Sequence, residues 1–142
     1  MIETGNSYVY FALIGDNFEP KELTDKLGIN PTEAWKKGDK GKYNPALSYS
    51  CWKISTDKGK EYFDIDKLVD ELVEKLNDKV ERINELKEKY LLDSVLQIVM
   101  DIDTNPEQST PSLGHDLKTI DFLYQTRTKT DVDIYKFNSL NK

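Results

Sequence analysis

Hydrophobic positions along the chain fall into blocks with two different periods. Tyr8 to Ile14 is an apolar run rich in aromatic and β-branched residues, which predicts a buried strand. Gly15-Asp16-Asn17 ends it. Pro20 then suits the first turn of a helix, Glu22 adds favourable charge near its start, Leu23 and Leu27 share a face, and Gly28 fits the C-cap. A second strand is predicted over Leu47–Ile54 and a third, the most hydrophobic, over Val95–Ile102. Asp131–Phe137 alternates and gives a fourth. Between Ile65 and Tyr90, the residues Leu68, Leu72, Leu76, Val80, Ile83 and Leu86 recur every three or four positions. Val69 and Val73 widen that stripe, and pairs such as Glu71–Lys75 and Glu85–Lys89 support the exposed side. One long amphipathic helix follows, capped by Asp64 or Asp66. The stripe is too wide and too short for a coiled-coil seam, so the helix is expected to pack on its own sheet. A third helix is predicted over His115–Thr126, with Leu113, Leu117, Ile120 and Tyr124 on one face.

The predicted order is β-α-β-α-β-α-β. It reads as an α+β fold: one layer of about four strands with helices on one face, of ferredoxin-like flavour. Ile14-Gly15-Asp16 and Met100-Asp101-Ile102-Asp103 fall at equivalent places in the two ends of the chain, which suggests an internal duplication joined by the long helix. Ile29–Ala46 contains Pro31, Gly38, Gly41 and Pro45 and is expected to be a long connection with little regular structure. Thr56–Lys60 is expected to be a turn, and Asn138–Lys142 a frayed tail. At 142 residues the chain fits one domain, 1–142, with a core from about residue 8 to 137.

Charge narrows the function classes. A net charge of −6 disfavours nucleic acid as a partner, because neutralising phosphates needs a basic face. The same charge suits a basic protein partner. No apolar run approaches the roughly 20 residues of a membrane span, and Met1–Gly5 lacks the character of a signal peptide. The lone Cys51 excludes an intramolecular disulfide and reads as a small buried hydrophobe. A cytoplasmic, bacterial-type protein is the expected setting.

One stretch departs from what core and surface require. Both tryptophans, Trp35 and Trp52, stand near a lysine cluster, Lys36, Lys37, Lys40 and Lys42, bracketed by Gly38 and Gly41. Glycine amides approach an anion closely, lysines neutralise it, and an indole stacks a ring or a cation. Trp35, Lys37, Gly38 and Trp52 are therefore the candidate binding residues. The spacing is not that of a phosphate-binding loop, and an anchor for the loop is the competing role for Trp35. Asp101 and Asp103, with Asp16 on a neighbouring strand, are secondary candidates for a hard cation or an acid–base pair, against the commoner role of turn residues. The single His115 has no nucleophile or suitably placed carboxylate beside it. No catalytic or cofactor motif is present, so no catalytic residue and no cofactor are assigned.

Several segments in order carry a resemblance. They are Phe11-Ala12-Leu13-Ile14-Gly15-Asp16, Glu19-Pro20, Leu23, Leu27-Gly28-Ile29, Pro31-Thr32, Trp35, Lys37-Gly38-Asp39, Trp52, Ser55 and Val132-Asp133-Ile134-Tyr135. Together they resemble the bacterial domain-of-unknown-function 4279 family over about Tyr8–Phe137. The resemblance implies a small stand-alone α+β protein and brings no catalytic residues. The chain departs from the expected pattern at Asp103-Thr104-Asn105-Pro106, where a glycine-rich strand end is common.

The expected function is a non-enzymatic protein-binding module, of the kind represented by immunity proteins that neutralise toxins. The alternative is a small-ligand or anion-binding domain centred on Trp35, Lys37, Gly38 and Trp52. The sequence leaves the oligomeric state open.

Overall fold

The computed structural model describes residues 7–57 and 64–141. Met1–Gly5 and most of the turn expected at Thr56–Lys60 lie outside the described residues. The fold is α+β, with one five-stranded mixed sheet. Strand β1 spans Tyr8–Gly15, helix α1 Pro20–Leu27, β2 Glu33–Trp35 and β3 Ser50–Ser55. Helix α2 follows over Ile65–Leu76, then α3 over Val80–Tyr90, β4 over Asp93–Asp103, α4 over Leu117–Thr126 and β5 over Lys129–Phe137. The strand order is β2-β3-β1-β4-β5.

The central strand is β1. It pairs antiparallel with β3 (Leu13 opposite Trp52) and with β4 (Phe11 opposite Leu96). Among the strands of the described residues, only β4 and β5 pair in parallel, because α4 provides the crossover that a parallel pair requires. The two ends of the chain are thus built differently. The connection through α1 returns to an antiparallel neighbour, whereas the one through α4 returns to a parallel neighbour, so the suggested duplication is not a structural one.

The long predicted helix is broken. Asn77-Asp78-Lys79 forms a 3₁₀ turn between α2 and α3. Asn and Asp are poor helix formers, because their side chains compete for backbone hydrogen bonds. A straight helix of all 26 residues would run about 39 Å. That overshoots the eight residues of β1, which span about 27 Å. The break lets α2 lay Leu68, Val69, Leu72, Val73 and Leu76 on the sheet while α3 turns to bury Ile83 and Leu86 near α1 and α4.

All four helices contribute to one core. It joins Val9, Phe11 and Leu13 of β1, Trp52 and Ile54 of β3, and Leu96, Ile98 and Met100 of β4 to the inner faces of the helices. The opposite face of the sheet carries a separate small cluster, Ala12, Cys51 and Val95, flanked by Tyr10, Ile14 and Trp35. No helix residue takes part in that cluster, so among the described residues one sheet face is helix-free.

The α4 stripe read from the sequence faces the other way. Phe122 and Leu123 are buried, with Phe122 against Phe11, while Leu117 is 83% and Tyr124 73% exposed. The smaller residues Thr119 and Thr126 complete the buried side. The helix starts at Leu117, because Asp116 is the N-cap and its carboxylate accepts from the Thr119 N–H at 2.8 Å. Expecting about four strands missed β2, three residues long and set inside the predicted long connection.

Candidate functional site

The segment from Lys36 to Tyr49 carries no helix or strand, as expected, yet backbone hydrogen bonds order it. Gly38 N–H donates to the Leu47 carbonyl and Leu47 N–H to the Asp39 carbonyl, both at 2.8 Å, while Gly41 N–H closes a turn onto the Asn44 carbonyl. The result is a hairpin-like tongue projecting from the β2 edge. Gly38 has φ +96°, a conformation that side-chain-bearing residues rarely take, so glycine is required at the bend. Ser50 fastens the tongue to the sheet: its hydroxyl accepts from Lys37 N–H at 2.9 Å and from Phe18 N–H at 3.1 Å.

Between this tongue and β2 lies a cavity of about 480 Å³. Trp35, Tyr43, Tyr49 and Leu47 supply its apolar surface, and Glu33, Asp39, Lys40, Lys42 and Asn44 its polar surface. Trp35 and Tyr49 meet edge to face at 5.6 Å between centroids. The indole N–H of Trp35 is shut away from solvent and has no acceptor among the described residues. Tyr43 stands almost fully exposed, with the Lys42 ammonium 5.3 Å from its ring.

Lys53 lies at the centre of the aromatic patch. Its ammonium is 2.9 Å from the Glu33 carboxylate, 4.4 Å from the Tyr10 ring centroid and 5.8 Å from that of Trp35. Burial disfavours the Lys53 charge, but the Glu33 hydrogen bond and charge outweigh it, so its pKa ends above the ordinary lysine value. Burial also raises the Tyr10 hydroxyl, partly offset by Lys53. The Cys51 thiol beneath is pushed up to about 11, chiefly by burial.

The four candidate residues do not converge. Trp35 pairs with Cys51 and belongs to the helix-free face. Trp52 pairs with Leu13 in the core, is fully buried, and donates its indole N–H to Thr24 Oγ1 at 3.1 Å. Lys37 turns away from the cavity to Asp16, 3.2 Å off, and Lys36 to Glu19. Gly38 shapes the tongue through its backbone. The sequence thus pointed to Trp35 and the loop that follows it, and missed Tyr43, Tyr49, Lys53 and Tyr10. Their signal was present in the strand alternation: Tyr10, Ala12 and Ile14 on β1 and Cys51 and Lys53 on β3 share one face by period two.

The acidic candidates are also apart. β1 and β4 are antiparallel, with Ile14 beside Asp93, so Asp16 lies at the end of the sheet remote from Asp101 and Asp103. Asp103 Oδ1 accepts from the N–H groups of Asn105 and Ser139, which hold its pKa below the usual aspartate range against desolvation. This is the turn role. Among the described residues, no three His, Cys, Asp or Glu side chains gather closely enough to hold a metal ion. His115 Nε2 is 3.0 Å from Thr130 Oγ1, beside the start of α4. Among the described residues, no helix is long and apolar enough to cross a membrane.

No curated protein and no solved structure matches this chain. Residues 4–137 match the model of the family described as a domain of unknown function, DUF4279, and the chain belongs to that family.

Proposed function

We propose that the protein is a non-enzymatic binding module that docks a protein partner on the helix-free face of its sheet. The carrying observation is the grouping of Tyr10 and Trp35 around Lys53, with Tyr49 edge to face against Trp35, and with no helix packed over that face among the described residues. Tyrosine and tryptophan offer large contact area at low entropic cost, and interface hot spots are rich in them. The net charge of −6 favours a basic partner, as a toxin-neutralising immunity protein would require. The test is affinity purification from the native host with the wild type and with the Trp35→Ala, Tyr49→Ala double variant. Stoichiometric recovery of a basic protein by the wild type alone supports the reading. Identical recoveries with both baits remove it.

A second reading has its own observation, the cavity of about 480 Å³ under the tongue. Its mixture of aromatic rings with Lys40, Lys42, Asp39 and Asn44 suits a small planar or polyhydroxylated ligand, held by stacking and hydrogen bonds. A shift of Trp35 emission on titration with a metabolite panel, abolished in Tyr43→Ala, supports it. A flat response across the panel counts against it.

A further inference from the structure

The lysines in and around the tongue divide into two sets. Lys36, Lys37 and Lys53 are ion-paired, with Glu19, Asp16 and Glu33. Lys40 and Lys42 form no ion pair among the described residues, and these are the two that line the cavity. The two carboxylates of the lining are already engaged. Glu33 holds the Lys53 ammonium at 2.9 Å, and Asp39 Oδ2 accepts from the Lys36 N–H at 2.8 Å. The uncompensated charge of the lining is therefore positive, in a chain whose net charge is −6. Local charge governs inside the cavity, because salt screens more remote carboxylates over a Debye length of about 10 Å.

The rest of the lining is largely aromatic. Trp35 and Tyr49 meet at 72°, so together they offer a ring face and a ring edge to a planar group. A cationic ligand is disfavoured twice: Lys40 and Lys42 repel it, and Lys42 and Lys53 already stand over the Tyr43 and Trp35 rings. A neutral sugar would leave both ammonium charges unused. We infer that the cavity takes a planar aromatic ring bearing a carboxylate or phosphate, with the ring against Trp35 and Tyr49 and the anionic group on Lys40 and Lys42. The inference rests on the cavity reading above and narrows it to one class of ligand. The volume of about 480 Å³ lies within the range of small-molecule sites and admits a ring system together with its anionic group.

Calorimetric titration of the full chain tests this with benzoate, salicylate and adenosine monophosphate, against the neutral counterparts benzamide and adenosine, and against inorganic phosphate. At least one aromatic anion should bind below about 1 mM, at least about tenfold tighter than its neutral counterpart and than phosphate. Which of the three binds tells carboxylate from phosphate. Added salt should weaken the binding. Lys40→Gln with Lys42→Gln removes no ion pair, so it should keep the wild-type circular dichroism while weakening binding about tenfold or more. Neutral compounds that bind as tightly as the anions overturn the inference and leave the cavity reading standing. Phosphate that binds as tightly as adenosine monophosphate removes the role of the ring. Binding that survives the double glutamine variant places the anion elsewhere and overturns the inference. Failure of every compound overturns it as well, and the cavity reading falls with it only if Trp35 emission is also flat across the metabolite panel.

Discussion

Trp35 and Trp52 lie on adjacent strands and face opposite sides of the sheet. The cause is register: Trp52 sits opposite Ala34 and Trp35 opposite Cys51, one position out of step. Side chains alternate along a strand, so one residue of offset sends one indole to the core and the other to the open face.

That relationship makes the two indoles separable by fluorescence. Acrylamide quenching of the wild type should resolve an accessible component from Trp35 and an inaccessible one from Trp52. Trp35→Phe should leave only blue, poorly quenched emission. Trp52→Phe opens space in the core and removes the indole donor to Thr24 Oγ1, for a cost of about 2 kcal/mol in urea unfolding. A single homogeneous quenching constant in the wild type would contradict the placement.

The Cys51 thiol should behave as a buried hydrophobe. With its pKa raised to about 11, it should resist alkylation at pH 8 in the native protein and react at once in denaturant. The linkage has a definite sign. The unfolded thiol ionises from its ordinary value of about 8.5, and the folded one only near 11. The Cys51 contribution to stability is therefore full below the unfolded value and is lost as pH rises through that window. Cys51→Ala should lower the steepness of alkaline destabilisation between pH 8.5 and 11, read by denaturant midpoints across that range.

Lys87 ties three elements together. Its ammonium donates to Ser94 Oγ at 2.7 Å and to the carbonyls of Thr126 and Arg127 at 2.6 and 3.1 Å, closing the C-terminus of α4 against α3 and β4. Burial lowers its pKa, with Asp93 opposing. Lys87→Met keeps the stem and removes the donors. It should cost about 1–3 kcal/mol and raise amide exchange at the end of α4 first.

Leu91 ends α3 in the left-handed region at φ 54° while 86% exposed. The side chain makes little buried contact and strains the backbone. Leu91→Gly should raise stability by about 0.5–1 kcal/mol, the relief of strain exceeding the extra entropy of the unfolded chain. A loss of stability on this substitution would show that the cap does not hold that conformation in solution.

Local chemistry made much of the fold legible. Pro20 and Gly28 bound α1 as read, since φ restriction at one end and left-handed freedom at the other act within a few residues. The four main strands stand where apolar or alternating runs placed them, because burial of a pleated face dictates those runs. The break at Asn77–Lys79 and the short strand β2 were not legible, since each answers to the length and edge of a sheet assembled elsewhere in the chain. The α4 face was misread for a related reason: Leu117, Ile120 and Tyr124 form the larger apolar stripe, yet the crossover to a parallel β5 aims Phe122 and Leu123 inward.

The sequence by itself determined an acidic α+β chain with strands, caps and a tryptophan–lysine loop, all products of short-range periodicity and turn chemistry. Only the tertiary structure decided which tryptophan is core, which lysine meets an aromatic patch and which apolar stripe is left to solvent. Those outcomes depend on strand register and on the side from which a crossover returns. Both are set by pairings between residues distant in the chain, such as Leu13 with Trp52 and Val95 with Lys129.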